Sequence, residues 1–140
     1  MARSTDRLLV SRLSDADTLL EVGIGDRSGV AADLAATGAD VHATDVQPVA
    51  VPEGVRFRVE DVTAVEALDD FHEVDVVYAL NCPPELHRPL CDLARRVDAT
   101  CYFTTLGADQ PTVPVEREQL TDTVDGDPVR VTLYVAARRS

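Results

Sequence analysis

The chain contains no lysine and no tryptophan, and only three cysteines. It has no apolar run long enough to span a bilayer, which argues against a membrane helix. Cys82, Cys91 and Cys101 are odd in number and form no CxxC pair. That pattern argues against a disulfide framework or a zinc knuckle and for buried, reduced thiols. His87 and Cys91 are four residues apart, but two ligands do not make a tetrahedral site, so no metal is expected. Basic residues are scarce too: thirteen arginines face twenty-five acids, for a net charge of -12. Such a surface repels nucleic-acid backbone and anionic lipid. No internal repeat and no linker divides the 140 residues. A single domain over 1–140 is therefore expected, large enough for a real core.

Acid-rich, lysine-free composition resembles that of proteins from salt-loving archaea. The charge then reports habitat rather than task. Molar salt shortens the Debye length to about 3 Å, so nucleic acid is disfavoured by charge but not excluded in brine. The first residues, MARSTDRLLVSRLSD, interrupt apolar positions with charge and do not read as a signal peptide. A cytoplasmic protein is expected.

What is present is alternation. Residues 5–13 place Leu8, Leu9 and Leu13 on one helical side. TLLEV (18–22) reads as a buried strand. Residues 28–37 have Val30, Ala31, Leu34 and Ala35 at helical spacing, with Gly38 placed to end the helix. ADVHATDV (39–46) and VRFRV (55–59) read as strands, with a short helix over 63–71. VDVVYAL (74–80) is strongly strand-like. Leu86, Leu90, Leu93 and Val97 form a helical stripe, which Pro89 kinks unless the helix begins near it. ATCYFTTL (99–106) is a fifth strand. Residues 107–128 read mostly as loop, with a strand near 119–124. VDGDP carries hairpin chemistry before the closing strand, 129–137. The expectation is an α/β fold: a doubly wound, mostly parallel Rossmann-like sheet, helices on both faces, and an antiparallel last strand.

In such a sheet the ligand lies outside the carboxyl ends of the strands. Those ends carry Gly23-Ile24-Gly25, then Asp45, then Glu60 and Asp61, then Asn81. Two glycines after a strand allow a sharp turn and close approach of a ligand. Asp45, twenty residues past Gly25, can accept from both hydroxyls of a ribose. Glu21, two residues before the first glycine, separates the cofactors. A dinucleotide loop places its third glycine three residues after the second. Here that position is Ser28, and Gly29 comes one residue later. A carboxylate beside a pyrophosphate is also repulsive. A cofactor with an amino group, a ribose and no phosphate suits ExGxG better, and S-adenosylmethionine is such a molecule.

At these residues the chain resembles the Rossmann-like S-adenosylmethionine-dependent methyltransferases. Glu21-Val22-Gly23-Ile24-Gly25 resembles their first motif. The resemblance implies that Asp45 holds the ribose and Asp61 touches the adenine amino group, with Val62 against the ring. Asn81-Cys82-Pro83-Pro84 lies where amino-methylating members carry an Asn-Pro-Pro-aromatic motif, although Cys82 follows the Asn and Glu85 stands in the aromatic's place. LLEVGIG (19–25) and PPEL (83–86) are similar to segments of a small archaeal group, uncharacterised protein family 0146, whose members look like minimal versions of this fold. The expected cofactor contacts are Glu21, Gly23, Gly25, Asp45, Asp61 and Asn81. Asn81 as a helix-entry cap is the competing reading of that residue. His42 reads as structural, Cys82 as a buried thiol, and no catalytic base is assigned.

Three functions stay open. The first is an S-adenosylmethionine-binding, methyltransferase-like protein of unassigned acceptor. The second is a non-catalytic scaffold or partner subunit that keeps the fold. The third is an NAD(P)-binding protein. A short leading helix and the 107–118 loop leave an acceptor to be enclosed by a second copy or a protein partner.

Overall fold

The computed structural model describes residues 4–140. Seven strands form one sheet in the order β3-β2-β1-β4-β5-β7-β6. The parallel members are β1 (Thr18–Val22), β2 (Asp40–Asp45), β3 (Val55–Val59), β4 (Val76–Ala79) and β5 (Thr100–Phe103). β6 (Glu116–Val124) and β7 (Asp127–Ala137) form a hairpin, and β7 enters antiparallel to β5. The expected antiparallel last strand is therefore present.

Burial follows position in the sheet. β1 and β4 lie at its centre, and TLLEV and VVYA are buried almost throughout, so their sequences run apolar without alternation. β3 is an edge strand and keeps two arginines in its alternating VRFRV.

Three α-helices cover the two faces. α1 (Ser4–Leu13) and α2 (Gly29–Ala36) share one apolar cluster through Leu9, Leu13, Val30, Ala31 and Leu34. α3 (His87–Arg96) seals the other face with Leu90, Leu93 and Ala94 against Leu20, Val77 and Phe103. α2 stops where its sequence dictates. Gly38 takes a φ of 99°, its N–H reaches Ala35 O at 3.0 Å, and the Ala39 N–H reaches Leu34 O at 3.3 Å. Those two bonds satisfy carbonyls the helix end would leave free. The helix begins near Pro89, which is the third residue of α3, within the turn whose N–H groups have no helical partner, so it has no cause to kink.

Two expectations are corrected. No helix spans 63–71. Single 3₁₀ turns form at Val62–Ala64 and Asp70–His72 instead. Asp61 and Asp69 each accept the N–H two residues on, Thr63 and Phe71, and that local bonding competes with helix propagation. The 107–128 segment is also more ordered than expected, because β6 begins at Glu116 and pairs along β7 to Val124. The turn joining them has Asp125 and Gly126 at φ 52° and 83°, the double positive φ that matches hairpin twist.

The strand order fixes where a ligand can lie. From β1 the chain winds outward to β2 and β3, then returns to β4 on β1's other side. The connections diverge between β1 and β4 and leave a crevice above their carboxyl ends.

Candidate cofactor crevice and adjoining cavity

A cavity of about 320 Å³ opens at that divergence point. Gly23, Asp45, Asp61 and Asn81 all line it, together with Glu60 and the apolar Val46, Val62 and Leu86. Four of the six expected contacts thus share one crevice. Gly25 joins through a hydrogen bond: its N–H donates to Asp45 Oδ2 at 2.8 Å.

The glycine loop is held open by backbone bonds. The Gly23 and Ile24 N–H groups both donate to Thr44 O, at 2.9 and 3.1 Å. Gly23 and Gly25 have φ of 73° and 55°, and a Cβ at either would meet nothing within 4 Å. The two glycines therefore bare the backbone towards open space, as a close-lying ligand requires. Asp45 anchors the loop from β2. Its Oδ1 also accepts the Gln47 N–H at 3.0 Å, and each oxygen keeps a second lone pair for a ligand hydroxyl. Val46, beside it, exposes 58 % of its surface, an apolar face at the rim.

At the exit of β3, Asp61 accepts the Thr63 N–H and hydroxyl through Oδ1, and these bonds hold its carboxyl below the usual range. Glu60 shares the exit of β3 with Asp61. It lines the crevice and is held by buried His72, whose Nε2 lies 3.0 and 2.9 Å from its two carboxylate oxygens. The Asp69 N–H donates to His72 Nδ1, which leaves the ring proton on Nε2, pointed at Glu60. Nothing local in the sequence pairs residues 60 and 72.

Asn81 is not a cap. The 3₁₀ turn after it, Pro84–Leu86, has Pro83 at its N-cap position and no side-chain cap bond. Asn81 has a φ of 51°, and its N–H donates to the Thr104 hydroxyl at 2.8 Å. Asn tolerates that left-handed conformation better than most residues. It pins the end of β4 to the end of β5.

Glu21 lies beneath the loop, 1 % exposed, and lines neither cavity. Tyr78, its register partner on β4, donates its hydroxyl to Glu21 Oε1 at 2.8 Å. Burial pushes the Glu21 carboxyl up to about 8; the Tyr78 bond opposes that rise, Asp6 adds to it and Arg27 eases it. Asp6, on α1, is almost buried against the start of α2: a Cβ on Gly29 would lie 3.1 Å from Asp6 Oδ2. The place where a dinucleotide pyrophosphate meets a helix N-terminus already holds the chain's own carboxylate.

A second cavity of about 300 Å³ meets the first at Leu80 and Asn81. It is bounded by Asp6 of α1, Arg27 of the glycine loop, Thr104 and Thr105 after β5, and Arg130 of β7. Sequence reasoning missed these residues, because only the sheet order brings β7 beside β5 and under α1.

Cys82 borders the crevice, while Cys91, Cys101 and the histidines line neither cavity. Burial pushes the Cys82 thiol up to about 12 and raises that of Cys101 too. His87 is buried, with Nε2 on Cys82 O at 2.9 Å and Nδ1 accepting the Thr112 N–H. His42 is buried in β2 with Nδ1 on Phe71 O at 2.7 Å. No helix among the described residues is long and apolar enough to cross a membrane.

The sequence and the fold have counterparts. The model of the Uncharacterised protein family (UPF0146) matches residues 7–125. The chain belongs to that family. A family member from Halobacterium salinarum is 50% identical over 101 residues, covering 72% of this chain and 78% of its own. One from Archaeoglobus fulgidus is 41% identical over 91 residues, covering 65% and 69%. Among solved structures, a TehB-like SAM-dependent methyltransferase from Corynebacterium glutamicum superposes with a TM-score of 0.61 at 18% identity, covering 94% of this chain and 86% of the other. Magnesium protoporphyrin IX methyltransferase from Synechocystis PCC 6803, with bound SAH, gives 0.61 at 13% identity, covering 95% and 82%. At such identities the likeness shows a shared fold: the UPF0146 chain is methyltransferase-like in architecture.

Proposed function

We propose that this UPF0146 protein binds S-adenosylmethionine in the crevice at the ends of β1–β4 and passes its methyl group to an acceptor in the adjoining cavity. Asp6 carries the argument. Its carboxylate beside the α2 N-terminus repels a pyrophosphate and disfavours NAD(P), yet it suits a ligand whose amino-acid end bears a cation. The crevice residues fit the rest of that molecule. Asp45 accepts from the ribose hydroxyls. Val46, Val62 and Leu86 offer apolar faces to the adenine, and Asp61 stands near its amino group. Gly23 and Gly25 let the backbone approach. Glu21, whose carboxyl burial raises to about 8, gives up its proton as a ligand ammonium settles above the loop, and Asn81 stands where the two cavities meet.

When bound, the cofactor supplies an electrophilic methyl on a sulfonium. The acceptor's lone pair forms the new bond to carbon while the C–S pair returns to sulfur. The chain's own part is placement and exclusion of water. The histidines line neither cavity and Cys82 is buried, so Asp109, half-buried on the loop after β5, is the carboxylate of the second cavity that would take a proton from an acceptor that carries one. Competition calorimetry in molar KCl tests the cofactor assignment. Binding of S-adenosylhomocysteine that NAD does not displace is expected. Tight NAD binding without S-adenosylhomocysteine binding would reverse it.

The scaffold reading draws on one observation: Tyr78 already occupies Glu21. It predicts cofactor binding without methyl transfer, together with a stable protein partner on pull-down.

A further inference from the structure

We propose that the second cavity binds a small molecule through an anionic group held by Arg27 and Arg130. Acids outnumber arginines nearly two to one here, so a free arginine is the exception. Arg12 grips Glu118 at 2.8 Å, Arg56 grips Asp40 at 2.9 Å, Arg58 grips Asp69 at 3.1 Å and Arg139 grips Asp75 at 2.6 Å. Arg95 and Arg138 have carboxylates within reach, Arg96 bonds the carbonyls of Val65 and Glu66, and Arg117 lies over the Tyr134 ring. Among the described residues, Arg27 and Arg130 have no carboxylate within ion-pair distance, and both line one cavity. Arg7 and Arg88 are likewise unpaired, but they line neither cavity and stand alone.

The other groups bounding the cavity suit an oxyanion. Thr104, Thr105 and Gln110 can donate hydrogen bonds. Asp6 also borders it from α1, beside the start of α2, and pairs with neither arginine. Asp109 lies on the loop after β5, half-buried, and does not pair with either arginine. The two guanidiniums come from separate elements, the glycine loop and β7, and planar guanidiniums match carboxylate or phosphate oxygens. A volume of about 300 Å³ limits the ligand to metabolite size. Because the cavity meets the crevice at Asn81, the anion would anchor a methyl acceptor and leave its remainder facing the crevice. That role rests on the proposed function; the anion site itself does not.

NMR titration of the isotope-labelled chain in molar KCl tests the site, with acetate, inorganic phosphate and methylammonium as probes. Each is added with and without S-adenosylhomocysteine. Saturable shifts at Arg130, Thr105 and Gln110 are expected with acetate or phosphate and not with methylammonium, the preferred anion telling carboxylate from phosphate. Arg130→Gln, an exposed position, should weaken that binding about tenfold or more, as loss of a charge-assisted bond implies. It should leave S-adenosylhomocysteine affinity unchanged. No saturable response to either anion, an equal response in Arg130→Gln, or a matching loss of S-adenosylhomocysteine binding would overturn the proposal. In the last case the cavity would belong to the cofactor. Anion binding intact without S-adenosylhomocysteine binding would instead sink the proposed function and leave this site standing.

Discussion

Glu21→Gln should stabilise this protein, and the gain should grow with pH. Glu21 is sealed under the glycine loop with one partner, the Tyr78 hydroxyl at 2.8 Å. Burial raises its carboxyl from 4.5 to about 8. The folded chain therefore holds this proton more tightly than the unfolded chain. Below about pH 4.5 both states are protonated and the site costs nothing. Between 4.5 and 8 the unfolded chain releases its proton first, so stability falls as pH rises; above 8 the penalty is complete. Each tenfold change in proton affinity corresponds to about 1.36 kcal/mol, which puts the full penalty at several kcal/mol. Water entry and relaxation around the ionised carboxylate trim that figure, so a plateau of ~2–4 kcal/mol is expected. Gln keeps an acceptor for Tyr78 and never ionises. Thermal unfolding of both proteins from pH 5 to 9 in molar KCl reads the difference. Tm should rise by roughly 6–12 °C at pH 8.5, at ~3 °C per kcal/mol for a domain of this size, with the two curves converging at pH 5. A variant that is no more stable at pH 8.5, or whose advantage does not shrink on acidification, would refute the reasoning.

Three further outcomes are expected. If a ligand ammonium feels Glu21 from above the loop, binding lowers the raised carboxyl pKa. S-adenosylmethionine should then release protons near pH 7, seen as a dependence of calorimetric heat on buffer ionisation enthalpy that Glu21→Gln abolishes. Gly25→Ala places a Cβ at φ 55°, costing about 1 kcal/mol of stability. Because that Cβ meets only open space where the ligand would lie, cofactor affinity should fall much further than stability does; a turn without a ligand role would lose stability alone. Tyr78→Phe leaves Glu21 without its hydroxyl partner and should cost about 1–3 kcal/mol at pH 8 on chemical denaturation, and less at pH 5 where the carboxyl is protonated.

Much of the architecture was legible because it is local. TLLEV and VRFRV announce a central and an edge strand through continuous and alternating burial. Gly38 ends α2 through two named bonds, and Asp125-Gly126 turns the last hairpin. The crevice was legible for the same reason, since the ends of parallel strands converge wherever the sheet forms. What was hidden is long-range. Tyr78 reaches Glu21 across 57 residues, and His72 holds Glu60 only because two 3₁₀ turns replace the expected helix. That Arg27 and Arg130 border one cavity depends on β7 lying beside β5. Periodicity reports which face is buried, not which polar groups from distant strands share it.

The central claim is that the crevice holds S-adenosylmethionine by its ribose at Asp45. Calorimetry of S-adenosylhomocysteine binding to the native chain and to Asp45→Ala, in molar KCl, tests it most directly. Saturable binding to the native chain is expected, with a loss of ~1–3 kcal/mol, roughly five- to two-hundred-fold, in the variant. No heat and no thermal shift with the native chain at millimolar ligand, or equal affinity for both proteins, would contradict it.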